Sequence, residues 1–260
     1  GRVIFGMGRG LSRREYEQFG IDMDTSRERF DEAAPMILKA LETGVIEGDG
    51  KYYKQPLAKI RPKPTRSFKG RITQVAMSPE STLECATNRA QMMVFTQKSL
   101  EEHNADFGPY RELYCKLHNA PPPPPLMAGL TVCHEDAGLA EELATKHIGG
   151  YLLTVMHHYE LMGDHFKKAK GYESYGEAVD IMRDIGLEAM ATAYVNAQPW
   201  GTPEQIIEKL TEQRRVIGEF DILFGFRGAG MPFEYAENSQ RLIAEKVIPA
   251  LRSWDKDVAA

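Results

Sequence analysis

Short apolar runs alternate along the chain with longer stretches whose hydrophobic residues recur every three or four positions. The runs Arg2–Met7, Arg71–Met77, Gln91–Phe95, Leu126–Cys133 and Phe220–Phe226 read as strands, most of them apolar enough to be buried on both faces. Between them lie helix signals. After Asp24, the positions Phe30, Ala33, Ala34, Ile37, Leu38 and Leu41 make one apolar helix face, and Gly44 supplies its stop. Pro35 falls inside this run and is expected to kink or break it. The segment Gly201-Thr202-Pro203-Glu204-Gln205 predicts a helix start, with Thr202 as cap, Pro203 in the first turn and Gln205 closing a capping box. Ser78-Pro79-Glu80-Ser81 repeats that logic directly after a strand.

Strands alternating with helices predict an α/β fold with a parallel sheet. Two excursions interrupt the alternation. Val45–Tyr53, with its turn signal Glu47-Gly48-Asp49-Gly50, predicts a small hairpin, and the prolines 121–125 a rigid connector into the next strand. The length, 260 residues, suits a TIM-type (β/α)8 barrel. Only five strands are legible, however. The expectation is therefore a single incomplete barrel domain over residues 1–260, the carboxy-terminal part of a longer chain, lacking roughly the first three strand–helix units, or about 90 residues. Gly1 in place of Met, running straight into the apolar Val3-Ile4-Phe5, supports that expectation.

Composition narrows the function classes. With 42% hydrophobic and 27% charged residues and a net charge of -5, the chain has no basic stripe for nucleic acid. No apolar run reaches the ~20 residues of a membrane span, and no signal peptide opens the chain. Cys85, Cys115 and Cys133 lack paired spacing, so a reducing, cytoplasmic setting is expected. The histidines His147, His157, His158 and His165 could suggest a metal. Adjacent histidines on a helix point about 100° apart, however, and no carboxylate stands in ligand register, so a polar helix face is the better reading. His134, just after a strand, is a weaker pocket candidate.

The candidate chemistry is anion binding. Arg9 follows a buried strand between Gly8 and Gly10, which let the backbone approach a ligand, and its planar fork suits bidentate phosphate recognition. Arg27 stands at a predicted helix start, and Ser78 and Ser81 offer hydroxyls at another, where free N–H groups favour an anion. The competing reading is that Arg9 and Arg27 make structural ion pairs with Glu15 or Glu28 and that Ser78 only caps.

The opening Gly1-Arg2-Val3-Ile4-Phe5-Gly6-Met7-Gly8-Arg9-Gly10-Leu11, with Phe19-Gly20-Ile21-Asp22-Met23 and Ser26-Arg27 after it, resembles the fourth strand and following loop of the bacterial luciferase-like flavin monooxygenases. Val75-Ala76-Met77-Ser78-Pro79-Glu80-Ser81, Gly201–Gln205 and Phe224-Gly225-Phe226 extend the resemblance in register. By that resemblance, Arg9, Arg27, Ser78 and Ser81 hold the phosphate of FMN, while Leu11 and Met77 line the flavin, with Gly8 and Gly10 shaping the loop. Met77 replaces the family's acidic residue, and Gly8 stands where some members carry a reactive cysteine. No catalytic acid or base is assigned, because the family's important histidine lies upstream of this segment.

The resemblance implies a two-component enzyme. Reduced FMN, delivered by a separate flavin reductase, and molecular oxygen would oxygenate a small hydrophobic organic substrate, and a homodimer is the family expectation. The segment Lys170–Pro199 matches the family's mobile loop over the active site, and Met92, Phe95, Phe226 and Met231 are apolar pocket candidates. Two alternatives stay open: hydride transfer with a deazaflavin on the same fold, and a non-catalytic flavin-binding subunit like the partner chain of a luciferase heterodimer.

Overall fold

The computed structural model describes residues 2–254; Gly1, the first residue of the opening motif, lies outside them. In chain order the elements are β1 (Phe5–Met7), α1 (Arg13–Gln18), α2 (Ser26–Thr43), β2 (Val45–Asp49), β3 (Lys54–Lys59), β4 (Ile72–Val75), α3 (Pro79–Thr87), β5 (Gln91–Phe95) and α4 (Leu100–His118). There follow β6 (Leu126–Leu130), β7 (Val132–Cys133), α5 (Ala137–Leu143), α6 (Gly149–His158), α7 (Glu173–Ile185), α8 (Leu187–Ala197), β8 (Trp200–Gly201), α9 (Pro203–Ile217), β9 (Asp221–Gly225), α10 (Phe233–Leu242) and α11 (Ile248–Leu251). The described residues divide into two compact units, one containing residues 2–94, 106–125 and 163–179, the other 95–105, 126–162 and 180–254.

In the first unit β1 pairs with β4 and β4 with β5, all parallel, with Phe5 opposite Ile72 and Thr73 opposite Gln91. Ile72, Thr73 and Gln74 are buried in succession, as in a strand covered on both faces. Ile72, Met92, Val94, Phe107 and Tyr110 are among its core residues, and the buried Tyr110 hydroxyl donates to the Ala90 carbonyl at 2.8 Å. Helix α2 runs unbroken through Pro35, contrary to the expected break, and Gly44 ends it at φ 77°. Pro35 is exposed, so the carbonyl its ring leaves without a donor can turn to water. The hairpin forms one step later than the turn signal implied. Gly50–Tyr53 make the turn and Lys54–Lys59 the return arm, because the Glu32 carboxylate accepts the Tyr52 and Tyr53 N–H groups and fixes the turn there.

In the second unit β6 pairs with β9 in parallel, Leu126 opposite Asp221. The single strand expected over Leu126–Cys133 is two: the chain turns at Thr131, and β7 pairs instead with the two-residue β8, which was too short to leave a periodic signal. Gln198 pins that junction, accepting the Leu130 N–H at 2.9 Å and donating to the Thr96 carbonyl. Helix α9 carries the expected capping box, with the Thr202 side chain accepting from the Gln205 N–H and the Gln205 side chain from the Thr202 N–H. Ile206 and Leu210 then bury its apolar face against Leu242, Ile243 and Val247. Among the described residues no helix is long and apolar enough to cross a membrane.

Candidate functional site

Parallel pairing of β1 with β4 sends the loops after both strands out of the same edge of the first unit. Arg9 is two residues beyond β1 and Ser78 three beyond β4. Ser78 caps α3 as the sequence implied: its hydroxyl accepts the Ser81 N–H at 3.4 Å and donates to the Ser81 hydroxyl at 3.1 Å, while Pro79 occupies the first helical position. The amino-terminus of α3 therefore faces that edge with its partial positive charge.

Arg27, in the first turn of α2, leans toward the same helix. Its Nη2 lies 3.9 Å from Glu80 and its Nη1 3.8 Å from Glu84. Both contacts are long, and the one with Glu84 becomes an ion pair only when that carboxyl ionises. The partner expected for it, Glu28, is engaged elsewhere, by the Tyr52 hydroxyl at 2.7 Å, Lys51 at 2.9 Å and Lys170 at 3.1 Å, which together hold its carboxyl down at about 2. Glu84 is the opposite case. Burial, then its hydrogen bond with the Asp31 carboxyl, push it up to about 8, although Arg27 and Arg9 pull the other way.

Arg9 is fixed by residues from far along the chain. Its Nη2 donates to the Gly171 carbonyl at 2.8 Å, and its guanidinium lies over the Tyr172 ring, 4.0 Å from the centroid. The Tyr172 hydroxyl donates to the Gly10 carbonyl at 3.0 Å and sits 3.2 Å from the Ser26 hydroxyl and 3.3 Å from that of Tyr16. Tyr16 in turn donates to the Arg9 carbonyl, and burial followed by the Tyr172 hydroxyl drives its own ionisation upward. Gly171, at φ 80°, is where the two arginines meet: a Cβ there would stand 2.8 Å from Arg9 Nη1 and 3.3 Å from Arg27 Nε.

Two donors in this cluster are left over. Arg9 Nη1 and Arg27 Nη2 are buried and have no hydrogen-bond partner. A buried charged donor without an acceptor is costly, on the order of 1–3 kcal/mol or more, and an anion bound between the arginines would recover that cost. Two guanidinium groups, the Ser78 and Ser81 hydroxyls and a helix amino-terminus form a donor set suited to a phosphate monoester dianion. A groove of about 350 Å³ beside Arg9 is lined also by Phe5, Met7, Phe30, Ala33 and Ile37, so an apolar body could lie next to that guanidinium.

The remaining expectations divide. Gly8, Gly10 and Leu11 lie on the Arg9 loop, Leu11 half-buried, and Met77 is half-buried beyond β4. The apolar pocket candidates differ in their surroundings within each unit. Met92 is core of the first unit, Phe95 is exposed, and Phe226 and Met231 line a space of about 10 Å³ in the second unit, room for a water at most. His147 is buried with Nδ1 3.1 Å from the Ala229 carbonyl, and His134 accepts the Asp136 N–H at 3.0 Å. Among the described residues no three or more His, Cys, Asp or Glu gather as metal ligands. Tyr16, Glu84, Asp31, Gly171 and Tyr172 escaped the sequence reading of the cradle. Only the last two had a signal, their place in the segment matched to a mobile loop.

Comparison with known proteins bears on the family and the fold. The model of the family described as luciferase-like monooxygenase matches residues 1–218. The alkanal monooxygenase alpha chain of Aliivibrio fischeri is 25% identical over 259 residues, covering 97% of this chain and 72% of that protein. Two solved structures share the fold. The oxygenating constituent of 3,6-diketocamphane monooxygenase from the CAM plasmid of Pseudomonas putida, in complex with FMN, superposes with a TM-score of 0.66 at 17% identity over 96% of this chain and 71% of its own. An F420-dependent secondary alcohol dehydrogenase in complex with an F420-acetone adduct does so with a TM-score of 0.65 at 16% identity over 96% and 70%. The chain belongs to the luciferase-like monooxygenase family.

Proposed function

We propose that this chain binds FMN by its phosphate and serves a monooxygenase that uses reduced FMN and molecular oxygen to oxygenate a small hydrophobic organic substrate. The observation that carries the reading is the pair of buried guanidinium nitrogens without acceptors, Arg9 Nη1 and Arg27 Nη2, beside the serine-capped start of α3. Reduced FMN, when bound, supplies the oxygen chemistry. The chain's own work is to neutralise the phosphate with Arg9 and Arg27, orient it with Ser78 and Ser81, and exclude water along the apolar groove. Leu11 and Met77, with Gly8 and Gly10 in the loop, line the flavin in this reading.

The same reading takes a separate reductase as the source of reduced FMN, a homodimer as the assembly and the cytoplasm as the compartment. It takes the chain as part of a (β/α)8 barrel, supported by parallel strands and intervening helices in each unit and by the fold likeness. The likeness to an F420-dependent dehydrogenase favours a second reading, hydride transfer with a deazaflavin in the same cradle. Calorimetry with oxidised FMN, reduced FMN and F420 separates the two. Preferential binding of reduced FMN, lost in Arg9→Ala and Arg27→Ala, supports the monooxygenase. Binding of F420 alone moves the chain to hydride transfer, and flavin affinity unchanged by both substitutions removes the cradle.

A further inference from the structure

Residues 164–176 are packed into the first unit by buried aromatic side chains and side-chain ties. Phe166 and Tyr172 are each 1% exposed, and the Phe166 ring stacks on Tyr175 with centroids 5.6 Å apart. Gly176 leaves no room for a side chain, since a Cβ would approach the Lys167 backbone to 2.9 Å. Two ties then bind the segment to α2 and to the turn before it: the Asp24 carboxylate accepts the Lys170 N–H at 3.0 Å, and Lys170 Nζ donates to Glu28 at 3.1 Å. The tip of this built segment is Gly171-Tyr172, the pair that touches Arg9.

We propose that Gly171 and Tyr172 are positioning residues of the anion cradle, forming a third wall that holds the Arg9 guanidinium flat and aimed at the ligand. Arg9 has two terminal nitrogens. Gly171 takes Nη2 as a carbonyl acceptor and leaves Nη1 for a ligand, while the Tyr172 ring covers one face of the planar group. The hydroxyl of Tyr172 anchors the ring to Gly10, in the backbone loop that carries Arg9 itself. Gly171 serves this arrangement by lacking a Cβ, which would wedge between Arg9 and Arg27. An anion that engages Nη1 stiffens a group already held by Gly171 and Tyr172.

The inference rests on the phosphate reading of the cradle, and the experiment separates the two. Binding of FMN and of riboflavin, which lacks the phosphate, is measured for the wild type, Arg9→Ala, Tyr172→Phe, Tyr172→Leu and Gly171→Ala. Tyr172→Leu and Gly171→Ala are expected to weaken FMN binding by roughly fivefold to thirtyfold while changing riboflavin binding less than about twofold. Tyr172→Phe keeps the stacked ring and should retain most of the FMN preference. A purely structural role would lower both ligands together. If Arg9→Ala abolishes the preference for FMN while Tyr172→Leu and Gly171→Ala leave it intact, the third wall is overturned and the cradle stands. If Arg9→Ala also leaves it intact, both fall. Should the Leu variant not fold, an FMN preference left intact in Gly171→Ala overturns the proposal by itself.

Discussion

Replacing Glu84 by Gln tests the electrostatics of the cradle directly. Glu84 lies within α3, its side chain 18% exposed, between the Arg27 guanidinium at 3.8 Å, the Gln74 amide at 3.4 Å and the Asp31 carboxyl. Burial and Asp31 raise it from an ordinary 4.5 to about 8, so the folded chain holds this proton through a range where the unfolded chain has lost it. The stability so contributed is complete below pH 4.5 and is lost as pH rises through about 8. The gap between those values sets a ceiling of about 5 kcal/mol. Arg27 compensates part of the charge once it appears and one flank is open to water, so an effect of about 1–2 kcal/mol is expected. Gln mimics the protonated acid and cannot titrate. Urea unfolding at pH 6 and pH 9 should therefore show the wild type losing about 1–2 kcal/mol more than Glu84→Gln across that interval. The variant should also bind FMN more tightly at pH 9, because Arg27 no longer faces a second carboxylate. Parallel pH profiles for the two proteins would refute the argument.

Other substitutions probe the frame around the site. Thr202→Ala removes the side-chain half of the capping box on α9, leaving the Gln205 bond to the backbone N–H of residue 202, and should cost about 1 kcal/mol in denaturant unfolding, with flavin binding unchanged. Leu210→Ala, at a position 1% exposed in the core of the second unit, should cost about 2–5 kcal/mol by the same assay. Ser78→Ala should lower stability by about 0.5–1 kcal/mol and weaken FMN more than riboflavin, and equal weakening of the two would confine Ser78 to capping.

Much of this molecule was legible in one dimension because the signals were local. Continuous apolar runs marked β1, β4, β5, β6 and β9, and three-four spacing marked α2. Short-range side-chain chemistry at Ser78 and Thr202 located the starts of α3 and α9, since a cap bonds to a backbone group only three residues away. Arg9, Arg27, Ser78 and Ser81 could be named for the same reason: each follows a strand or opens a helix, the kind of position at which anions bind. Other features depended on contacts that no periodicity encodes. The break at Thr131 follows from pairing with a two-residue strand nearly seventy residues away, and the hairpin turn is set by the Glu32 carboxylate from the preceding helix. The partners of Arg9 lie 162 residues downstream, so only the folded chain shows which of its nitrogens is taken by Gly171 and which is left for a ligand. Likewise the sequence by itself offered Glu28 as a partner for Arg27, whereas packing of α2 against α3 selects Glu80 and Glu84 and the hairpin claims Glu28. Local sequence determined which elements form and where their charged ends lie. Tertiary structure decided which charges meet, because electrostatic partners are chosen by distance in space and by burial.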